Sequence, residues 1–206
     1  MKIQTLVLGA MQSNCYLISS ERAAICIDAG VYDERIRLFF EANADKRRLI
    51  LLTHTHFDHI GGAERLRAET GIKIAIGREE APSLKDPAVT LSDRFFANVA
   101  PFEADICIED EEVLSVGDLT VKAILTAGHT AGGMSYLING TLFSGDTLFK
   151  GTIGNTTHPG GDYDTLLCSV QRLAFMLPDE TPVYSGHGEP TTIGKEKRLN
   201  PYLKTL

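Results

Sequence analysis

The stretch Leu49-Ile50-Leu51-Leu52-Thr53-His54-Thr55-His56-Phe57-Asp58-His59 sets four potential metal ligands, His54, His56, Asp58 and His59, within six positions at the end of an apolar run. Side chains two apart in extended chain point the same way, so His54 and His56 can grip one ion. Where the chain then turns into a helix, Asp58 and His59 aim at a neighbouring position. Three later strand ends each carry one more candidate behind a glycine: Gly128-His129-Thr130, Gly145-Asp146-Thr147 and Gly186-His187-Gly188. Glycine there permits a tight turn or a close backbone approach. Imidazoles and carboxylates without thiolates suit zinc, iron or manganese better than calcium or a soft metal. The count suits two divalent ions. Three imidazoles make one half-site, Asp58, His59 and His187 make another, and Asp146 can bridge. Such ion pairs sit ~3.5–4 Å apart with a hydroxide between them. Their residual positive charge favours an oxyanion developing in a transition state. A lone His-x-His is more often a surface or core feature, but seven candidate ligands gathered at strand ends spell a metal site.

The elements that must position these residues follow from periodicity. Lys2 to Leu8, Cys15 to Ser19 and Ala23 to Ile27 read as strands. Asp33 opens a helix with Ile36, Phe39 and Phe40 at helical spacing, ending near Asn43. Arg48 to Leu52 is a buried strand leading into the histidine-rich turn. A second helix follows, with Ala63, Leu66 and Thr70 on one face and a stop at Gly71, and Lys73 to Ile76 is again a strand. From Arg78 to Pro101 the signals weaken to short helices or a long loop. Strands resume at Asp105 to Ile108, Val113 to Val116, Leu119 to Leu125, Met134 to Ile138 and Thr141 to Phe143, the last two joined by the hairpin pair Asn139-Gly140. A helix from about Asp162 to Met176 and a strand from Thr181 to Tyr184 precede a basic terminal segment. Mixed sheets covered by outer helices suit this order.

Composition narrows the function classes. A chain of 206 residues with 43% hydrophobic and 23% charged side chains can bury a sizeable core, and we expect one domain over 1–206. A formal charge of −7 speaks against a nucleic-acid partner. No apolar run approaches the ~20 residues a membrane span needs. The start, Met1-Lys2-Ile3-Gln4-Thr5, lacks a signal-peptide pattern, and the four cysteines are scattered, so a cytoplasmic location without disulfides is expected. Neither a Gly-x-Ser-x-Gly elbow, a dinucleotide fingerprint nor a phosphate loop is present.

His54-x-His56-x-Asp58-His59 with His129, Asp146 and His187, in that order, resembles the metallo-β-lactamase superfamily of hydrolases. Gly128-His129-Thr130 and Gly145-Asp146-Thr147-Leu148-Phe149 narrow the likeness to glyoxalase-II-like thioesterases. Gly186-His187-Gly188-Glu189-Pro190-Thr191-Thr192-Ile193-Gly194, Asn200-Pro201-Tyr202-Leu203 and the opening Asn14-Cys15-Tyr16-Leu17-Ile18 are similar to the short bacterial members. The resemblance implies an α/β, four-layer αββα sandwich with the metals at the edge between two mixed sheets. It implies that His54, His56 and His129 hold one ion, Asp58, His59 and His187 the other, and that Asp146 bridges. It further implies that a hydroxide held by the ions, oriented by Asp58, cleaves a small acyl-thioester such as S-lactoylglutathione. Zinc is the first expectation, with iron or manganese as alternatives. Aspartate rather than cysteine at 146 points away from the main zinc β-lactamases. The family often carries Arg or Lys where this chain has Asn155, and long glyoxalases II add a helical glutathione-binding domain beyond the length of this chain.

Three further residues are candidates for substrate contact: Lys150, which directly follows the Asp146 loop and could reach a carboxylate, Asn155, and His158 in the loop with Pro159-Gly160-Gly161. Lys195, Lys197, Arg198 and Lys204 are expected to form a solvated helix face. Cys15 is expected to be a buried free thiol. The competing functions are a lactonase, esterase or phosphodiester hydrolase on the same ions, and an iron oxidoreductase of the same fold such as a persulfide dioxygenase. The expected partner is a small thioester or related anionic molecule; oligomeric state is left open.

Overall fold

The computed structural model describes residues 1–203; Lys204 lies outside the described residues. The first half runs β1 (Lys2–Leu8), β2 (Ser13–Ser19), β3 (Ala23–Ile27), α1 (Glu34–Glu41), β4 (Arg47–Leu52), α2 (Phe57–Ile60), α3 (Ala63–Thr70), β5 (Ile74–Gly77), a 3-10 turn over Ala81–Lys85 and β6 (Ile106–Ile108). The second runs β7 (Val113–Val116), β8 (Leu119–Leu125), β9 (Met134–Ile138), β10 (Thr141–Gly145), β11 (Leu148–Phe149), β12 (Thr152–Ile153), α4 (Tyr163–Met176), β13 (Pro182–Ser185), β14 (Thr191–Thr192) and α5 (Ile193–Leu199). One six-stranded sheet has the order β1-β2-β3-β4-β5-β6, the other β14-β13-β10-β9-β8-β7, and β11-β12 form a small hairpin. Both large sheets are mixed. In the first, β3, β4, β5 and β6 are parallel; in the second, β10 and β13 are.

The alternation along the strands builds the layers. Ile25, Ile27, Leu49 and Leu51 point inward to meet Val121, Tyr136 and Phe143 of the other sheet. Their neighbours Cys26, Ile50 and Leu52 face outward, beneath Ile36 and Phe40 of α1 and Leu66 of α3. On the far side Ile124, Leu142 and Val183 are covered by Leu166, Val170 and Leu173 of α4 and Ile193 of α5. Helix, sheet, sheet and helix therefore stack as the αββα sandwich. A strand buried on both faces cannot alternate with polar residues, which is why β4 reads as a continuous apolar run.

Several local signals behave as their chemistry dictates. Asp33 and Asp162 cap α1 and α4 by accepting from the backbone N–H of Arg35 and Thr165. The Asn139-Gly140 turn has φ of 46° and 79°, the left-handed pair that closes a two-residue hairpin. Between the expected elements, the structure adds the short helix α2, which carries Asp58 and His59 and is separate from α3. The 78–101 stretch is mostly irregular, with the Ala81–Lys85 turn as its helical part. The basic terminal stretch holds α5, in which Lys197 pairs with Asp179 while Glu196 is turned inward and buried.

Candidate metal centre

All seven candidate ligands leave strands at one edge. β8 and β10 each run antiparallel to β9, and β13 runs parallel to β10, so β8, β10 and β13 share a direction and discharge their chains at the same end. His129, Asp146 and His187 lie just past those three exits. The end of β4 is brought beside them by bonds between the sheets. Met134 donates its backbone N–H to the carbonyl of Thr53 and the Tyr136 hydroxyl donates to the carbonyl of Leu52, both at 2.8 Å. His54, His56, Asp58 and His59 follow that β4 end.

The ligand atoms converge in two groups. One nitrogen each from His54, His56 and His129 lie within 4.8 Å of one another, as do one ligand atom each from Asp58, His59 and His187. His59 Nε2 and His187 Nε2 are 3.3 Å apart. Two nitrogens held tetrahedrally at ~2.0–2.1 Å from one ion would be about 3.3 Å apart. His56 Nδ1 and His129 Nε2 approach to 2.9 Å. Asp146 lies between the groups: Oδ2 is 3.5 Å from both His129 Nε2 and His187 Nε2, and Oδ1 is 3.5 Å from His59 Nε2. His54 Nε2 and Asp146 Oδ1 are buried with no hydrogen-bond partner. Unpartnered buried polar atoms are costly, and an inward-facing nitrogen and carboxylate oxygen fit a divalent cation.

The rings are oriented by groups that the sequence reading did not single out. Asp28 ends β3, with φ of +54°, and its Oδ2 accepts from both the Thr53 hydroxyl at 2.7 Å and His59 Nδ1 at 3.0 Å. The one Thr53 hydroxyl proton goes to Asp28, so its oxygen accepts from His54 Nδ1 at 3.0 Å. A single carboxylate thereby fixes the tautomers of a ligand in each half-site, leaving both Nε2 lone pairs for an ion. His129 Nδ1 donates to the backbone carbonyl of Asn155 at 2.6 Å, which frees its Nε2 in the same way. Glu80, fully buried, accepts from the N–H and hydroxyl of Thr55 and from the N–H of Gly132, tying the His54–His56 turn to the loop after His129. A polar residue directly after strand β3 was the legible sign for Asp28. Glu80 sits in the weakly patterned stretch and carried none.

Gly186 is required by packing: a Cβ there would lie 2.0 Å from Asp146 Oδ1. Gly145, at φ +50°, turns the chain where a Cβ would strike the Thr53 side chain at 2.5 Å.

The two groups differ electrically. Burial pushes the His54 imidazole well below its usual range and His56 down to about 3, with neighbouring imidazoles adding to the effect. Burial also acts on His59 and His187, but Asp146 and Asp58 outweigh it and hold them at about 9 and about 10. Burial raises Asp146 and Asp58, yet the facing imidazoles prevail and keep both carboxyls below the ordinary value.

The three residues nominated for substrate contact fare differently. Lys150 is half-exposed and ion-paired with Glu189. The Asn155 side chain turns back to accept from the N–H of Thr157 at 2.9 Å, and only its backbone carbonyl reaches the centre. His158 stands with its ring 5.6 Å from that of His56, edge to face, and its Nδ1 is buried without a partner.

The sequence pattern of the metallo-beta-lactamase superfamily matches residues 8–187. The hydroxyacylglutathione hydrolase GloC of Haemophilus influenzae is 35% identical, the match covering 100% of this chain and 99% of that protein. The crystal structure of the BLEG-1 B3 metallo-beta-lactamase superposes with a TM-score of 0.88 at 36% identity, covering 98% of this chain and 99% of that one. TTHA1623 in a di-iron-bound form superposes at 0.82 with 30% identity, covering 97% and 100%.

Proposed function

The chain belongs to the metallo-β-lactamase superfamily, and from that membership and the paired ligand groups we propose that it is a dinuclear metal-dependent hydrolase cleaving a small acyl-thioester, as a glyoxalase-II-like enzyme does. His54, His56 and His129 would hold one divalent ion, Asp58, His59 and His187 the second, and Asp146 would bridge them. Such an ion pair supplies an acidified water and a Lewis acid for the acyl carbonyl. The chain's own groups do the rest. Asp58, on the first turn of α2 and 3.4 Å from His187 Nε2, is partly open to the cleft. Its carboxylate can accept a hydrogen bond from the attacking water and set its direction. Asp28 and the Asn155 carbonyl keep the ligand rings from rotating as charge develops. In the overall reaction a C–O bond forms at the acyl carbon, the C–S bond breaks, and the thiolate takes up the proton released from water. Two divalent ions held beside Asp58 and Asp146 would leave net positive charge there, which would favour negative charge developing on the acyl oxygen.

The observation carrying the proposal is the meeting of both ligand groups on Asp146, in a chain 35% identical to a hydroxyacylglutathione hydrolase over its whole length. The test is hydrolysis of S-D-lactoylglutathione by protein reconstituted separately with zinc, iron and manganese. A specificity constant at or above ~10⁴ M⁻¹s⁻¹ with any metal is expected. Background rates in fully loaded protein would reject glutathione thioesters. A β-lactam is the second reading, favoured by the 36% identity to a B3 metallo-beta-lactamase. Assaying a carbapenem beside the thioester separates the two.

A further inference from the structure

A cavity of about 160 Å³ opens directly beside Asp58. Its walls come from four separate parts of the chain: Met11 in the β1–β2 turn, Val31 after β3, Phe57 at the start of α2, and Phe95, whose ring lies 5.1 Å from that of Phe57 at 30°. Met11, Val31 and Phe95 remain 45%, 38% and 43% exposed, so three large apolar side chains line solvent beside Asp58. Among the described residues no basic side chain enters the lining, and its polar members are Asp58 and Ser13, whose hydroxyl is spent on the Asp58 carbonyl at 2.7 Å. The narrowness on the Asp58 side is built in. A Cβ at Gly30 would lie 1.7 Å from the Asp58 carbonyl oxygen, so the wall is bare backbone there.

Exposed apolar walls next to a reacting centre gain from being covered by an apolar group of the substrate. A thiol carrier that circulates in water is itself polar and charged, which leaves the acyl portion as the part able to enter. A cavity of ~150 Å³ holds the six carbons of benzene. We propose that this cavity is an acyl pocket taking an aliphatic group of about four to six carbons, so that the preferred substrate carries a longer and less polar acyl group than lactoyl. The proposal rests on the thioesterase reading for its leaving group but not for the pocket itself.

The test has two arms on the metal-loaded protein. Calorimetric binding of acetate, butanoate, hexanoate and octanoate is expected to tighten by up to about fourfold per methylene as far as hexanoate, then to level off as the pocket fills. The specificity constants for the N-acetylcysteamine thioesters of the same acids should follow the same gradient. Val31→Trp, which fills the cavity from its rim, should flatten the dependence of both series on chain length. Phe95→Ala should lower the hexanoyl rate several-fold more than the acetyl rate. Equal affinities for acetate and hexanoate, or a thioester series cleaved without regard to chain length, would overturn the acyl pocket and leave the thioesterase reading intact. Graded binding with no thioester cleaved would support the pocket and overturn the thioesterase reading.

Discussion

The two halves of the candidate metal centre lie a few ångströms apart and are built on opposite electrostatic plans. His54, His56 and His129 form a buried group of rings, with His56 held at about 3 and His54 well below its usual range, so these two are neutral at any working pH. Asp58, His59 and His187 pair two imidazoles with a carboxylate, Asp146 sits alongside, and the imidazoles are held at about 9 and about 10. The first group presents lone pairs ready for a cation. The second, when free of metal, neutralises its carboxylates with protons that an ion must displace. Burial alone does not make a ligand set receptive; the nearest charges decide whether it does.

The largest effect expected in this contrast is at Asp58. Asp58→Ala should lower kcat by about 10³ at saturating metal while leaving the circular dichroism spectrum and the occupancy of the His54–His56–His129 group unchanged. Wild-type turnover in fully loaded Asp58→Ala would remove the water-orienting role. Next comes pH. His59 and His187 are raised in the metal-free fold, so both are protonated at pH 7 and each proton displaced costs the incoming ion about tenfold in affinity per unit fall in pH. Zinc titrations between pH 8 and pH 5.5 should therefore show the second equivalent weakening by at least a hundredfold overall, and more steeply than the first, whose His54 and His56 carry no proton to displace. Equal slopes for the two equivalents would erase the distinction between the halves.

Asp28→Ala sharpens the comparison from behind the ligands. Asp28 bonds His59 directly and reaches His54 only through Thr53. A loss of metal affinity of ~10–100-fold is expected, larger for the second ion than for the first, as competition with a chromophoric chelator would measure. The smallest effect belongs to His158→Ala. With its ring against His56 at the mouth, the variant should raise KM a few-fold at unchanged metal content. Metal loss measured by atomic emission would make His158 part of the ligand shell.

Much of this was legible in one dimension, and for a definite reason. The order of elements followed from strands of period two, from helices of period 3.6 and from caps such as Asp33 and Asp162. The candidate ligands were legible because His and Asp at strand ends are polar interruptions in an apolar text. β11, β12 and β14 were missed because elements of two residues are shorter than any periodicity they could show, and the helical turn at Asp58 and His59 was read without its break from α3. Asp28 was passed over as the lone acid after a strand, and Glu80 because nothing local predicts that a glutamate in a loop will be wholly buried.

The sequence by itself determined the ligand types, their order and the strands that deliver them, since those depend on chemistry and on local backbone preference. Only the tertiary structure decided that His54 and His56 are held neutral while His59 and His187 are held charged, that Asp28 orients one ring in each candidate group, that Lys150 pairs with Glu189, and that Met11, Val31 and Phe95 meet beside Asp58. Each of these is a through-space relation between residues far apart in the chain. Electrostatic energy and packing are set by distance and burial in the folded molecule, and neither quantity exists until the two sheets have closed on each other.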